Sequence, residues 1–189
     1  LRAVRLLGEA AAVFVPGNLA YDLVRRYRPD AVVLKFPMTS DEAYIRECLE
    51  ENADRIAPRA RDELVVFGII GDPNFYSTFS RLCEVIAGRY PEITFATEPG
   101  ISSITAFASV ANVPVAGGFF VSDGNGPESR IFMKVRKPAA LAASLSKEGY
   151  SEFVLVERMF MPEQRVYRGA DLPEKSDYFS ILFARRSHA

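Results

Sequence analysis

Two short loops combine glycine and proline with acidic, aromatic and hydroxyl side chains, a composition typical of a ligand site. The first reads Gly-Asp-Pro-Asn-Phe-Tyr-Ser-Thr over residues 71–78, and the second reads Glu-Pro-Gly-Ile-Ser-Ser over residues 98–103. Gly71 and Gly100 allow the main chain to approach a ligand closely. Ser102 and Ser103 fall where a helix should begin, and a helix start presents unpaired amides. Turn formation and N-capping are the simpler explanation of either loop alone, but two such loops favour a binding site.

Residue content excludes several familiar kinds of active site. The single histidine, His188, stands one residue from the end of the chain, so we expect neither a histidine-rich metal site nor a Ser-His-Asp triad. The sequence contains no Gly-Lys-Ser/Thr phosphate loop and no Gly-x-Gly-x-x-Gly that opens a helix after a strand. Cys48 and Cys83 form no Cys-x-x-Cys pair and fit reduced thiols. We therefore expect a cytoplasmic protein with no metal centre.

Charge and hydropathy also exclude two classes of partner. The 189 residues include 23 Lys and Arg against 24 Asp and Glu, and this near-neutral charge argues against a broad nucleic-acid surface. No apolar run reaches the roughly 18 residues that a membrane-spanning helix needs. We therefore expect neither a nucleic-acid nor a membrane partner.

Strand-like and helix-like segments alternate through residues 1–113, which predicts an α/β domain with a parallel sheet covered by helices. The predicted helices span 1–10, 18–27, 40–56, 76–88 and 102–111, and the predicted strands span 11–15, 31–35, 64–70 and 92–97. Both loops follow a predicted strand, and open parallel sheets bind ligands at the carboxyl ends of their strands.

The pattern changes after Val113 and predicts a second, smaller α/β domain over residues 114–189. Strands are predicted at 117–122, 129–135, 152–157, 164–168 and 178–184, with one helix at 138–147 and a loop at 123–127. This richer strand content predicts a mixed sheet.

Four ordered blocks of the sequence resemble the tetrapyrrole (corrin and porphyrin) methylases. The blocks are Gly71-Asp72-Pro73 with Phe75-Tyr76-Ser77-Thr78; Glu98-Pro99-Gly100-Ile101-Ser102-Ser103; Ile131-Phe132-Met133-Lys134; and Val156-Glu157-Arg158 with Pro162-Glu163-Gln164-Arg165. Within that family, Phe36-Pro37-Met38-Thr39 and the Tyr-Ser-Thr of the first loop look most like the precorrin-2 or cobalt-precorrin-2 C-20 methyltransferases of cobalamin synthesis.

The resemblance implies a homodimeric enzyme of two α/β domains that uses S-adenosylmethionine as methyl donor. By position, the implied cofactor contacts are Gly71, Asp72, Phe75, Ser102, Ser103, Met133 and Met159. Core packing is the alternative explanation for the two methionines. The family begins with a strand and a Gly-Pro-Gly-Asp-Pro loop before the helix that here starts at Leu1, and we expect both to be missing from this sequence.

The substrate implied by the resemblance is precorrin-2 or cobalt-precorrin-2, a polycarboxylate macrocycle. Arg130 and Arg136 are candidates to bind its carboxylates, because guanidinium groups form bidentate hydrogen bonds with carboxylates. Asp72 and Tyr76 are candidate catalytic residues for the loss of a proton from the methylated carbon, with Glu98 or water as alternatives.

Other functions within the same fold stay open. They include methylation of another tetrapyrrole carbon, of ribosomal RNA ribose or of a modified histidine on an elongation factor, and a non-catalytic S-adenosylmethionine-binding module.

Overall fold

The computed structural model describes residues 2–121, 124 and 126–186. The chain forms two units, Leu1–Gly118 and Phe119–Ala189, whose junction lies a few residues after the predicted boundary at Val113. Leu1, Ser122, two residues of the predicted 123–127 loop (123 and 125) and His188 lie outside the described residues. Each unit has its own sheet and its own buried core.

The first unit confirms the predicted α/β alternation. Its elements are α1 (Arg2–Glu9), β1 (Ala12–Pro16), α2 (Asn18–Val24), β2 (Val32–Leu34), α3 (Glu42–Ala60), β3 (Val65–Phe67), α4 (Thr78–Arg89) and α5 (Ser103–Val110). The three strands pair in parallel in the order β2-β1-β3. The loop that follows β3 therefore leaves the sheet at the carboxyl end of its strands.

Alternating side chains of β1 separate two hydrophobic clusters, one on each face of this sheet. Phe14 packs in the larger cluster with buried residues of α3 and α4, such as Leu49 and Leu82. Val13 packs in the smaller cluster with Leu7 of α1 and Ala31. Because each fully buried aliphatic side chain contributes about 1.5–3 kcal/mol, the two clusters hold helices on both faces, as the sequence predicts.

Arg28 ties α1 to the sheet, and its replacement by alanine should destabilise the first unit. Its guanidinium donates to the carbonyl oxygens of Leu7 and Ala10, each at 2.7 Å. It also donates to the carboxylate of Asp30, and this hydrogen bond lowers the pKa of Asp30 to about 2. Because hydrogen bonds from charged groups contribute about 1.5–3 kcal/mol, we expect Arg28→Ala to cost about 2 kcal/mol in urea unfolding.

Arg25→Ala is the matched control for this prediction. Arg25 forms an exposed ion pair with Asp22 at 3.2 Å, and such pairs contribute less than about 1 kcal/mol. Equal losses of stability in the two variants would contradict the role assigned to Arg28.

Two predicted strands are wrong. Residues 92–97 contain no strand: Ile93 is buried, but its amide donates to the carbonyl oxygen of Tyr90, and no described backbone bond joins this segment to β3. Residues 117–121 also contain no strand, and Phe119 and Phe120 are exposed. A strand-like composition forms a strand only where a neighbour supplies backbone partners and burial.

The second unit contains β4 (Ser129–Met133), α6 (Pro138–Lys147), β5 (Glu152–Glu157), β6 (Arg165–Arg168), a 3-10 turn (Gly169–Asp171) and β7 (Ser180–Arg185). The sheet order is β4-β7-β5-β6, and every pairing among the described strands is antiparallel, where a mixed sheet was expected. The reason is topological: the crossover from β4 through α6 makes β4 and β5 parallel, but β7 inserts between them.

Within the described ranges, every helix is too short or too polar to cross a lipid bilayer.

Candidate functional site

The two glycine-containing loops of the first unit touch and are hydrogen-bonded to each other. Asp72 accepts the amide of Asn74 at 2.9 Å with one carboxylate oxygen and the amide of Gly100 at 3.1 Å with the other. The side-chain amide of Asn74 also donates to the hydroxyl of Thr97 at 3.1 Å. The structure thus brings together two loops that the sequence linked only because each follows a predicted strand.

Gly100 is the closest point of this contact. A Cβ atom at Gly100 would lie 1.9 Å from the carbonyl oxygen of Gly71 and 2.8 Å from its carbonyl carbon. Gly71 itself has φ of +89°, a conformation that glycine adopts without steric cost. The close approach therefore requires glycine at both positions, for different reasons.

Ser102 and Ser103 begin α5, as predicted. Ser102 is the N-cap, and its hydroxyl accepts the amide of Ile104 at 3.3 Å, so the capping explanation of this serine is correct. Ser103, the first residue of α5, is exposed, and so is Ile101 just before the cap. The helix start thus presents hydroxyl and apolar groups next to the contact between the loops.

Tyr76 has a strained backbone on an exposed side chain. Its φ is +50°, and a left-handed conformation costs a non-glycine residue roughly 1–2 kcal/mol. Its side chain is 68% exposed, so burial of the ring does not compensate. Phe75 next to it is also largely exposed. Strain of this kind is typical of binding and catalytic segments.

In the second unit, Met133 and Met159 lie toward the same end of two strands, β4 and β5, that run in the same direction. Met133 at the end of β4 and Val156 near the end of β5 both lie opposite Ile181 of β7. Met133 and Val156 are therefore two inter-strand spacings apart, roughly 10 Å. Met133 is 72% exposed and Met159 is 44% exposed, so the core-packing alternative for these methionines is wrong.

Strained residues flank the predicted cofactor contacts in both units. Lys134 follows Met133 with φ of +57°, and Arg158 and Phe160 stand on either side of Met159 with φ of +51° and +63°. With Tyr76 next to Phe75, four of the five non-glycine residues described at positive φ adjoin a predicted contact. The fifth is Asn112, a residue type that tolerates this conformation after a helix.

The family model described as Tetrapyrrole (Corrin/Porphyrin) Methylases matches residues 1–171. The chain belongs to this family. The match contains all seven predicted cofactor contacts, and members of the family use S-adenosylmethionine as methyl donor.

Three proteins to which this tetrapyrrole methylase is similar share at most 29% sequence identity with it. The probable cobalt-precorrin-2 C(20)-methyltransferase of Methanocaldococcus jannaschii is 29% identical over an alignment of 126 residues, and the match covers 62% of this chain and 53% of that protein. The chain thus aligns with about half the length of this curated relative. Among solved structures, uroporphyrin-III C-methyltransferase from Thermus thermophilus is 20% identical with a TM-score of 0.46, covering 98% of this chain and 85% of that one. Diphthine synthase is 15% identical with a TM-score of 0.47, at 98% and 83% coverage.

The structure does not bring together the two arginines predicted to bind substrate. Arg130 lies near the start of β4, where it pairs with Glu148 at 2.7 Å and covers the ring of Tyr150. Arg136 follows the opposite end of β4, where Met133 is the last residue of the strand. Of the two, Arg136 is exposed and has no ion-pair partner among the described residues.

A cavity of about 580 Å³ between α3 and α4 of this methylase holds no predicted contact residue. Its charged side chains neutralise one another: Arg81 pairs with Glu42 at 2.5 Å, and Arg46 pairs with Glu50 at 3.1 Å. Among the described residues, no group of three or more His, Cys, Asp or Glu side chains is arranged to hold a metal ion.

Sequence reasoning missed the residues that position these contacts. Asn74 and Thr97 join the two loops, and Ser176 and Ser180 donate to the carbonyl oxygen of Val135. Turn composition could have indicated Asn74, but nothing in the sequence links the serines to Val135, because the contact depends on how β7 pairs with β4.

Proposed function

We propose that this chain carries the S-adenosylmethionine-dependent methyltransferase activity that methylates C-20 of precorrin-2 or cobalt-precorrin-2. Family membership supports the cofactor and the tetrapyrrole substrate class, and the name of the archaeal relative supports the carbon atom. The observation that carries the proposal is the strained backbone beside Phe75, Met133 and Met159, because strain persists where the surrounding structure and function require it.

The residues present fit an adenosyl group bearing an amino acid. Exposed Phe75 and Ile101 offer apolar contact to a purine ring, and the serine-rich start of α5 offers hydroxyls and amides for ribose and carboxylate oxygens. We assign Gly71, Ser102, Ser103, Met133 and Met159 to the same binding role.

The protein's task in this reaction is alignment. When bound, the cofactor supplies an electrophilic methyl group and a neutral thioether leaving group. Binding residues hold the acceptor carbon in line with that methyl group and exclude water, and orientation of this kind is worth roughly 7–11 kcal/mol of the barrier. With the cofactor bound, methyl transfer would form a carbon–carbon bond and break the carbon–sulfur bond, and the proton of the methylated carbon would pass to Tyr76 or to water.

The two candidate catalytic residues have different roles in this proposal. Both carboxylate oxygens of Asp72 already accept main-chain amides, so we assign Asp72 to positioning the loops. Among the described residues no hydrogen bond involves the Tyr76 hydroxyl, and the side chain is exposed in the first loop, so the hydroxyl can orient the macrocycle or relay the proton to water by accepting it and donating its own. Glu98 forms an ion pair with Arg2 at 2.7 Å and is the weaker candidate.

Replacing Tyr76 with phenylalanine should reduce turnover without weakening cofactor binding. The change removes the hydroxyl but keeps the ring and the backbone conformation. We expect kcat to fall by roughly 100-fold if the hydroxyl takes part in proton transfer, together with a changed pH profile. The affinity for S-adenosylhomocysteine should be unchanged in calorimetry.

Tyr27→Phe is the control, because Tyr27 is also partly exposed but lies after α2 and packs against Arg26. A Tyr76→Phe enzyme with wild-type kcat would leave proton removal to water.

Calorimetry with S-adenosylhomocysteine followed by turnover of cobalt-precorrin-2 tests the proposed function as a whole. We expect binding, and a product that has gained one methyl group at C-20, located by NMR. Methylation at another carbon would contradict the C-20 assignment, and binding without turnover would identify a non-catalytic module. Absence of binding would remove the cofactor assignment.

The family resemblance also leads us to propose a cytoplasmic homodimer. Light scattering should then give twice the 21.0 kDa of one chain, and a single-chain mass would contradict the dimer.

A further inference from the structure

The second unit contains a groove of about 540 Å³ that combines an apolar floor with two cationic side chains. Its apolar lining comes from Phe132, Met133, Ala140 and Leu141, and its charge comes from Arg136 and Lys137. We call these six residues the basic groove. A groove of this size and composition suits an amphipathic anion, with an apolar body and carboxylate ends.

The cations of the basic groove differ from their neighbours in lacking a partner. Lys134 lies 5.2 Å from the centre of the Tyr178 ring, and Arg158 pairs with Glu163 at 3.1 Å. Neither Arg136 nor Lys137 forms an ion pair with any described residue, although the two stand side by side. An anion in the groove would relieve the repulsion between them and would satisfy their hydrogen-bond donors.

The backbone that carries these cations is held in place on both sides. Val135 and Pro138 are buried, which leaves Arg136 and Lys137 as the exposed pair between two anchors. The hydroxyl of Ser180 donates to the carbonyl oxygen of Val135 at 2.8 Å. The amide of Ser176 donates to the carbonyl oxygen of Arg136 at 3.1 Å. Rigid support of this kind reduces the entropy that binding must remove.

The start of α6 adds a third favourable element. Lys137 is the N-cap and provides no side-chain cap, so the first turn of this 10-residue helix keeps amides for a ligand. The amide of Ala139 donates to the carbonyl oxygen of Pro173, whereas that of Ala140, which lines the groove, has no described backbone acceptor. The helix dipole favours negative charge at this end.

We propose that the basic groove binds a carboxylate arm of the tetrapyrrole, with Arg136 and Lys137 as specificity-determining residues. This inference rests on the proposed function for the identity of the substrate. Arg136 holds the carboxylate, Lys137 and the start of α6 complete its surroundings, and the apolar floor contacts the adjoining pyrrole ring. Arg130, which is paired with Glu148 beyond the other end of α6, takes no part.

Absorbance titrations of the full chain with uroporphyrin, a porphyrin with carboxylate arms, test this assignment. We expect the Arg136→Ala/Lys137→Ala double variant to weaken uroporphyrin binding by at least about tenfold, because it removes charge-assisted hydrogen bonds. An Arg136→Lys/Lys137→Ala variant, which keeps one positive charge in the groove, should recover part of the affinity that the double variant loses. The uncharged methyl ester of uroporphyrin should bind both proteins equally.

Arg55→Ala/Lys147→Ala is the matched control, because it also removes one arginine and one lysine, both from exposed helical positions outside the groove. It should bind uroporphyrin as the wild type does. Wild-type affinity in the double variant, an equal loss for the methyl ester, or no binding of uroporphyrin to the wild type would each overturn the proposal. A loss of S-adenosylhomocysteine affinity equal to the loss for uroporphyrin would also overturn it, since the groove would then bind the cofactor.

Turnover assays separate this proposal from the proposed function. If cobalt-precorrin-2 is methylated with the same KM by the double variant and the wild type, the groove assignment fails and the proposed function stands. If the wild type does not methylate it but uroporphyrin binding depends on both cations, the proposed function fails and the groove assignment stands.

Discussion

Replacing Gly100 with alanine should separate the two loops of the first unit and abolish cofactor binding. The new Cβ would lie 1.9 Å from the carbonyl oxygen of Gly71, a main-chain atom that cannot rotate away as a side chain can. Relief requires the loops to move apart, which breaks the hydrogen bond from the Gly100 amide to Asp72. Overpacking of this kind costs about 3 kcal/mol. If the loops bind S-adenosylhomocysteine, its affinity should fall by at least about 100-fold.

Gly88→Ala provides the matched control. Gly88 lies inside α4, and a Cβ there would meet no atom within 4 Å. Alanine favours helix over glycine by about 1 kcal/mol, so this variant should be at least as stable as the wild type and should bind the cofactor normally. Calorimetry and thermal unfolding of both variants check the prediction. Normal S-adenosylhomocysteine binding by Gly100→Ala would show that the loop contact is not part of the cofactor site.

The parallel sheet of the first unit was predictable because its strands are apolar in sequence and bounded by clear turn residues. Residues 64–70 form a continuous apolar run, and residues 65–67 of it form β3 between helices that cover both faces. Residues 92–97 have an equally strand-like composition but lack backbone partners, and pairing is a property of the neighbours rather than of the segment. The start of α3 differs for a local reason: Thr39 and Glu42 have capping-box spacing, but Asp41 is the N-cap and accepts the amide of Tyr44.

Those features of the candidate site that depend on local backbone conformation were predictable from the sequence. Ser102 caps α5 as its position before an apolar helical run indicates, and Gly71 has the positive φ that a tight turn requires. By contrast, Tyr76 and Lys134 have residue types that normally avoid positive φ, so their conformations follow from tertiary contacts that sequence patterns do not encode. The separation of Arg130 from Arg136, in turn, follows from local structure, because residues 129–133 form one extended strand that places the two arginines at its opposite ends.

Asp72→Ala should weaken the same loop contact from its other side. Both carboxylate oxygens of the half-buried Asp72 accept main-chain amides, one within its own loop and one from Gly100. Loss of these charge-assisted bonds should cost about 2 kcal/mol and should weaken S-adenosylhomocysteine binding by roughly 30-fold. Asp62→Ala is the control, because Asp62 is exposed and lies in the turn after α3.

A double-mutant cycle of Asp72→Ala with Gly100→Ala distinguishes a single unit from two independent effects. Once alanine at position 100 has separated the loops, Asp72 can no longer accept the Gly100 amide, so removing it costs less. We expect a coupling of about 1–2 kcal/mol in both stability and binding, whereas the Asp62→Ala and Gly100→Ala changes should add within about 0.5 kcal/mol. Additive losses in the first pair would mean that the aspartate stabilises its own turn through Asn74 and does not hold the loops together. The cofactor role of the second loop would then depend on α5 alone, since its cap at Ser102 does not involve Asp72.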